Sequence, residues 1–304
     1  MSFSACEHGK GIGSKPEQLK RVYALNLRQN ILQFHSVELI TETHLPASTT
    51  QGRLKRPAQN RSLERGVEIL RAFRPGVDLM GNSELSERTG IAPATVSRLT
   101  QTLVRTGMLE YESRERAYRL AAPLLSFAHA MRSGSPLLKC AAPLMQRVAE
   151  AHRINVGIAR IDRDEMVYLE SVRFNRKVSL RNVVAGQRVP VELTSLGRAH
   201  LSTLTDDELS EMLRQLKNHR HADWPSLEKE IAQAIAQVRK TGYCVASWQP
   251  NVVALATPLV FRHYPVHVLN VSVNSQMAPR EVERTLSPVL LDLAEALSDA
   301  MNQL

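Results

Sequence analysis

Cysteine is scarce in this chain: three of 304 residues are cysteine, and they stand far apart at Cys6, Cys140 and Cys244. None of them belongs to a CxxC pair, which argues against a disulfide framework and against a cysteine-rich zinc site. The N-terminus also lacks a basic segment followed by an apolar run and a small-residue cleavage site, so we expect no signal peptide. These absences together predict a reducing, cytoplasmic location.

Aromatic residues and long apolar runs are rare as well. Aromatic side chains make up 5% of the chain, which leaves little material for platforms on which bases stack. The longest apolar stretch covers residues 252–261 and is interrupted by Thr257 and Pro258. That stretch is far shorter than the ~20 residues that a membrane-spanning helix needs, so we expect no membrane partner.

The motifs of common catalytic and cofactor sites are missing too. The chain contains no GxSxG elbow and neither a GxGxxG nor a GxxxxGKS/T loop, which are the usual signs of a serine hydrolase or a phosphate-cradling site. The histidine groups, His219 and His221 near Asp223 and His263 near His267, lack the acids and helix register of a hydrolytic zinc site. We therefore interpret them as exposed loop histidines. We expect no metal, no cofactor, no catalytic residue and no enzymatic activity.

The chain does carry a modest excess of positive charge. The net charge is +9, divided into +4 over residues 1–60, +2 over residues 61–120 and +3 over residues 121–304. Such a balance permits a nucleic-acid partner without requiring one. The length favours two domains, since one domain takes ~150 residues.

Residues 1–57 differ from the rest of the chain. They contain a loop-like segment at residues 9–16, a stretch of weak helical potential at residues 20–39 and a linker-like segment at residues 46–52. We interpret them as a poorly ordered basic N-terminal arm.

Residues 58–121 predict a winged helix-turn-helix. The first helix is marked by four apolar residues at helical spacing, Leu63, Val67, Leu70 and Phe73, and is capped by Asn60 or Ser62. A second helix runs from about Ser83 to Arg88, with Asn82 or Ser83 as its cap, and a third runs from Pro93 to Thr106. Gly107 has the position of a left-handed cap, and two short strands around the polar turn at residues 112–116 form the wing.

The third helix combines an apolar stripe with a polar face that contains no acidic residue. Val96, Leu99 and Leu103 form the stripe. The candidates for contact with base edges and phosphates are Thr95, Ser97, Arg98, Gln101, Thr102 and Arg105. In the wing, Arg114, Arg116 and Arg119 are candidates for contact with the phosphate backbone or a minor groove. The alternatives are a helical hairpin that serves only for packing and a solvated turn.

Residues 122–135 predict an apolar linker helix, and residues 136–304 a second domain. In the second domain, strand-like runs, among them residues 178–184, mix with helices without strict alternation. This order indicates an α+β sheet domain and not a Rossmann fold.

From residue 61 onward, the ordered motifs resemble those of the IclR family of bacterial transcriptional regulators. In the first domain they are RSLER at residues 61–65, ELSERTGI at 84–91, TVSRL at 95–99 and YRL at 118–120. In the second they are GQRVP at residues 186–190, TSLGRA at 194–199, GY at 242–243, ATPL at 256–259 and LNVS at 269–272. The chain departs from the family pattern at Arg198, where the family often has lysine, and at residues 246–250, where it often has a Glu-Glu pair.

The resemblance implies a homodimer or homotetramer that binds double-stranded operator DNA and a small-molecule effector. It also implies a GAF-like α/β effector-binding and oligomerisation domain, whose effectors are often carboxylates or aromatic acids. By position, the candidate effector-binding residues are Arg188, Thr194, Ser195, Ala254, Asn270 and Ser272. Arg188 is either a bidentate partner for a carboxylate or a structural surface arginine, and Thr194 and Ser195 are either effector contacts or helix caps.

Two other interpretations of the sequence stay open. One is a small-molecule-transforming enzyme with an N-terminal association module. The other is a DNA-binding scaffold without a ligand, which the altered segment at residues 246–250 suggests.

Overall fold

The computed structural model describes residues 20, 23–33, 35, 60–174, 184–218, 223–274 and 277–303. The helices of this part of the chain are α1 (residues 23–33), α2 (Arg61–Ala72), α3 (Asn82–Thr89), α4 (Pro93–Arg105), α5 (Pro123–Ser133), α6 (Pro136–His152), α7 (Ser195–Leu201), α8 (Asp206–Lys217), α9 (Trp224–Thr241) and α10 (Pro279–Asn302). The strands are β1 (Leu109–Glu112), β2 (Ala117–Leu120), β3 (Asn155–Asp162), β4 (Glu165–Val172), β5 (Arg188–Pro190), β6 (Cys244–Ala246), β7 (Val252–Leu259) and β8 (His267–Asn274).

The first domain is a winged helix-turn-helix, as predicted. Helices α2, α3 and α4 pack around Ile69, Leu85 and Val96, all of which are fully buried. The hairpin of β1 and β2 closes this core with Leu109 and Tyr118. The three helices and the wing therefore share one small apolar core.

Two details of this domain differ from the prediction. Leu63 and Val67 were expected on the packed stripe of α2, but they are 66% and 42% exposed. Helix α2 packs instead through Gly66 and Ile69, because α3 and α4 lie against that side. The N-cap of α3 is Gly81, without a side-chain hydrogen bond, and not Asn82 or Ser83.

The second domain is built on a six-stranded antiparallel sheet in the order β5-β4-β3-β8-β7-β6. Helices α6 and α10 cover one face with an apolar cluster that includes Met145, Leu255 and Leu290. Helices α7 and α9 cover part of the other face with a cluster that includes Leu196 and Ile231. This α+β architecture confirms the predicted fold class.

The remaining expectations for the second domain have mixed outcomes. Apart from Val184, the strand predicted over residues 178–184 lies outside the described residues, as do His219 and His221. His267 opens β8 and is only 7% exposed, so its interpretation as an exposed loop residue was wrong. Burial lowers the pKa of His267 to about 4. The described residues contain no cluster of three or more His, Cys, Asp or Glu side chains arranged for a metal ion.

Helix α1 packs on the second domain. Tyr23 lies against both apolar clusters and donates a hydrogen bond to the carbonyl oxygen of Pro258 at 3.4 Å. Leu27 is 5% exposed, and Arg28 donates to the carbonyl oxygen of Arg239 at 2.7 Å. This segment differs from the poorly ordered arm predicted for residues 1–57, because Tyr23, Leu27 and Ile31 align on one face of a helix. Most of that arm lies outside the described residues.

None of the helices within the described ranges combines the length and the apolar character needed to span a membrane.

We expect the packing of α1 to depend on Leu27. Replacing this buried leucine by alanine, Leu27→Ala, should cost about 2–5 kcal/mol, expressed as opening of α1 or as lower stability of the whole domain. Leu25 on the same helix is 60% exposed, so Leu25→Ala should change stability by less than about 0.5 kcal/mol. Amide hydrogen exchange over residues 23–33, with urea unfolding, measures both effects. Equal effects of the two variants would contradict the packing of α1.

Candidate DNA-binding surface and ligand cavity

Helix α4 presents a polar face that is free of acidic residues. Val96 and Thr100 are fully buried, and the Thr100 hydroxyl donates to the carbonyl oxygen of Val96 at 3.0 Å. Because Val96 and Thr100 are buried in the domain core, the opposite face of α4 is exposed to solvent. Of the six residues predicted to contact DNA from this helix, Arg98, Gln101, Thr102 and Arg105 are exposed, and Thr95 and Ser97 are half-buried.

The three predicted wing arginines all lie exposed on the β1–β2 hairpin. Arg119 forms an ion pair with Glu112 at 2.9 Å, which neutralises part of its charge. Arg114 and Arg116 lie in the turn between the two strands, and Arg116 has a left-handed φ of 51°. The tip of the wing therefore presents two exposed arginines on either side of Glu115.

A cavity of about 540 Å³ lies on the face of the large sheet that α7 and α9 cover only in part. All six candidate effector residues line it: Arg188, Thr194, Ser195, Ala254, Asn270 and Ser272. Its wall also includes Tyr168, Gln187, Trp248 and Gln249, together with Pro75 and Gly76 from the first domain.

The alternation of side chains along β8 places the polar residues in this cavity. Leu269 and Val271 point into the cluster under α6 and α10, so Asn270 and Ser272 point to the other face. Ala254 of β7 pairs directly with Ser272 of β8. The small side chains of β7 leave room above the sheet.

Asn270 and Tyr168 form the polar floor of the cavity. Asn270 is 4% exposed and donates from Nδ2 to the Tyr168 hydroxyl at 3.3 Å. Its Oδ1 is buried and has no hydrogen-bond partner among the described residues. Burial raises the pKa of Tyr168 to about 12, so its hydroxyl keeps its proton at neutral pH. Buried polar atoms are normally paired, so this acceptor in the floor of the cavity is a candidate for a hydrogen bond from a bound water or ligand.

Arg173 adds a positive charge close to Tyr168. Its charge acts to lower the pKa of the Tyr168 hydroxyl, against the larger effect of burial. The Nε atom of Arg173 is buried and also lacks a hydrogen-bond partner within the described part of the chain. Neither Tyr168 nor Arg173 was predicted, because neither belongs to a sequence motif and only strand pairing brings β4 close to Asn270.

Gly157 on β3 makes this floor possible. It pairs with Asn270 across the sheet. A Cβ atom at Gly157 would stand 2.5 Å from the Tyr168 ring and 2.6 Å from Asn270 Oδ1. A larger residue at this position would push the two side chains out of place.

The guanidinium of Arg188 binds two carboxylates. Its Nε lies 2.7 Å from Glu165 and its Nη2 lies 2.5 Å from Asp162. Partial burial acts to raise the pKa of both acids, but hydrogen bonds from Arg188 and from Arg71 and Arg74 of the first domain outweigh it and lower both values. Both acids are therefore ionised at neutral pH. The geometry favours the structural alternative for Arg188.

Thr194 has the role of a helix cap. Its hydroxyl accepts from the backbone N–H of Gly197 at 3.2 Å and donates to the carbonyl oxygen of Pro190 at 2.8 Å. Of the two alternatives for this residue, capping of α7 is thus observed. The threonine also lines the cavity.

Two family models match the chain. One is described as the IclR helix-turn-helix domain and covers residues 62–113. The other is described as the C-terminal domain of the bacterial transcriptional regulator IclR and covers residues 129–299. A curated relative, the Pca regulon regulatory protein of Pseudomonas putida, is 29% identical over 81% of this chain and 86% of its own length.

Solved structures agree with this match. An IclR family transcriptional regulator from Brucella abortus is 33% identical with a TM-score of 0.73, over 83% of this chain and 96% of its own. An IclR homologue from Microbacterium hydrocarbonoxydans, complexed with 4-hydroxybenzoate, shares the fold with a TM-score of 0.62 at 21% identity, over 80% of this chain and 100% of its own.

Proposed function

Because the chain belongs to the IclR family of bacterial transcriptional regulators, we propose that it binds a specific operator through α4 and the wing. The observation that carries this proposal is the exposed, acid-free polar face of α4. A small carboxylate or aromatic acid in the cavity modulates the affinity for the operator. The function is regulatory and not enzymatic, which the match to the two IclR family models supports. Its place of action is the cytoplasm.

In this proposal, α4 enters the major groove and the wing contacts the backbone. The guanidinium of Arg98 and the amide of Gln101 have the chemistry that reads base edges, since both form paired hydrogen bonds with bases. Arg114 and Arg116 at the wing tip have the chemistry that binds phosphates.

Arg98→Ala tests the role of α4. If this side chain reads a base, the variant should lose about 1–3 kcal/mol of operator binding and some sequence preference at that position. Arg214 on α8 has a 69% exposed side chain paired with Glu211, and Arg214→Ala is the matched control with unchanged affinity. Fluorescence anisotropy with operator and scrambled DNA measures both. A loss of less than a few tenths of a kcal/mol for Arg98→Ala would remove this residue from the readout.

We infer that a second copy of the chain covers the exposed apolar residues of α5. This helix has no buried residue. Its Phe127 and Met131, one turn apart, are 58% and 51% exposed. On α2, Leu63 and Val67 add further exposed apolar surface. Burial of these side chains between two copies supports a homodimer that reads two half-sites of an operator.

Phe127→Glu tests this dimer. Placing a charge in an apolar interface costs several kcal/mol, so the variant should sediment as a monomer at concentrations where the wild type is dimeric. Ser126→Glu adds the same charge at the neighbouring exposed polar position and should remain dimeric. Sedimentation velocity distinguishes the two variants. A dimeric Phe127→Glu protein would show that this face of α5 is not the interface.

For the ligand, an aromatic acid that carries a hydroxyl group fits the cavity best. Asn270 Oδ1 can accept a hydrogen bond from a hydroxyl. Arg173 does not line the cavity, but its charge acts on Tyr168 and favours an anionic ligand nearby. The 4-hydroxybenzoate bound to the homologue from Microbacterium hydrocarbonoxydans supports this class of compound. Trp248 supplies an aromatic surface at the same cavity.

Asn270→Ala should discriminate between two ligands. Loss of the acceptor should weaken the binding of 4-hydroxybenzoate about tenfold, the value of one hydrogen bond in a dry site, and leave the binding of benzoate nearly unchanged. Asn274→Ala changes an exposed asparagine at the end of the same strand and should alter neither affinity. Isothermal titration calorimetry gives the four comparisons. Equal losses of affinity for both ligands would show that the hydroxyl group of 4-hydroxybenzoate does not bind Asn270.

A further inference from the structure

The two domains meet through arginines and carboxylates. On the side of the first domain, Arg71 of α2 contacts Asp162 at 2.6 Å and Arg74 contacts Glu165 at 2.5 Å. Glu68 of α2 binds Arg163 with both carboxylate oxygens. All three partners in the second domain belong to the turn between β3 and β4 or its edges.

The same two acids also bind the arginine at the ligand cavity. Asp162 is shared by Arg71 and Arg188, and Glu165 is shared by Arg74 and Arg188. Arg188 lines the ligand cavity on one side. On the other side it lines a cleft of about 530 Å³ between the domains, together with Arg71 and Arg74.

The first domain also contributes directly to the wall of the ligand cavity. Pro75 and Gly76, which follow α2 and the paired Arg74, line this cavity together with Gln187 and Trp248. A molecule in the cavity therefore lies against both domains.

The backbone of the β3–β4 turn supports this contact. Arg163 has a left-handed φ of 60°, a conformation that is uncommon for residues other than glycine and asparagine. Two-residue hairpin turns commonly require this conformation, and the turn fixes the place from which the side chain of Arg163 reaches the first domain. In this case the side chain is the partner of Glu68 on α2.

We propose that the ligand site is formed by both domains and that the ion pairs of Arg71 and Arg74 with Asp162 and Glu165 hold it closed. The ligand then affects the first domain by direct contact with residues 75–76, and binding of the ligand is thermodynamically linked to the docking of the domains. The use of this cavity for a ligand rests on the proposed function. The docking itself requires neither DNA nor ligand.

The fluorescence of Trp248 reports on the docking. The chain has two tryptophans; Trp224 is 2% exposed and Trp248 is 38% exposed. Undocking of the first domain removes residues 75–76 from the wall of the cavity that Trp248 also lines, and we expect it to expose Trp248 further. In the full-length protein without DNA or ligand, Arg71→Gln/Arg74→Gln should raise acrylamide quenching of Trp248 about twofold by opening the docked state.

A second variant and two controls complete this test. Asp162→Asn/Glu165→Gln breaks the same pairs from the other domain and should give the same increase. Arg214→Gln, which breaks an exposed pair on α8, should give none. Trp248→Phe should abolish the response of the first variant. Wild-type quenching in both docking variants, with a folded far-UV spectrum, would overturn the proposal.

Hydrogen exchange provides an independent measurement on the same variants. Arg71→Gln/Arg74→Gln should speed exchange at residues 184–191, which are more than a hundred residues away in the chain. Unchanged exchange there would also overturn the proposal. Since neither measurement uses DNA, failure of operator binding would contradict the proposed function and leave the docking intact.

Discussion

The two-residue alternation of β8 is the constraint on which the second domain depends. Leu269 and Val271 contribute to the apolar cluster under α6 and α10, and the strand must therefore turn Asn270 and Ser272 to the opposite face. On that face, the small residues of β7 and Gly157 of β3 leave space, and α7 and α9 cover only part of the sheet. Strand β8 thus contributes apolar side chains to one face of the sheet and polar side chains to the other, where they line the cavity.

The contacts within the domains differ in kind from the contact between them. Each domain has its own apolar core. The domain contact depends on ion pairs whose side chains are between 17% and 57% exposed. Pairs of this type contribute about 0–1 kcal/mol each. A contact of that strength can hold an arrangement and still be released, as a regulator that responds to a ligand requires.

Sequence patterns predicted the elements well, because helix caps, turns and apolar periodicity are local. They did not predict which face of α2 is packed, since Leu63 and Val67 satisfy the helical period and yet remain exposed. Arg188 was located at the cavity by resemblance, but its carboxylate partners lie 23 and 26 residues away and become neighbours only through strand pairing. Tyr168 and Arg173 were not predicted as site residues for the same reason. Helix α1 packs on residues more than 200 positions away, a contact that no local pattern contains.

Sequence-specific binding of DNA is the central claim, and anisotropy titrations of the full-length protein test it most directly. The protein is titrated into DNA from upstream of its own gene and into scrambled DNA of equal length, across a series of salt concentrations. We expect a preference for the native sequence of about 4–10 kcal/mol, typical of specific regulators, with an affinity that falls as salt rises. Absence of binding to both DNAs at low salt would contradict it.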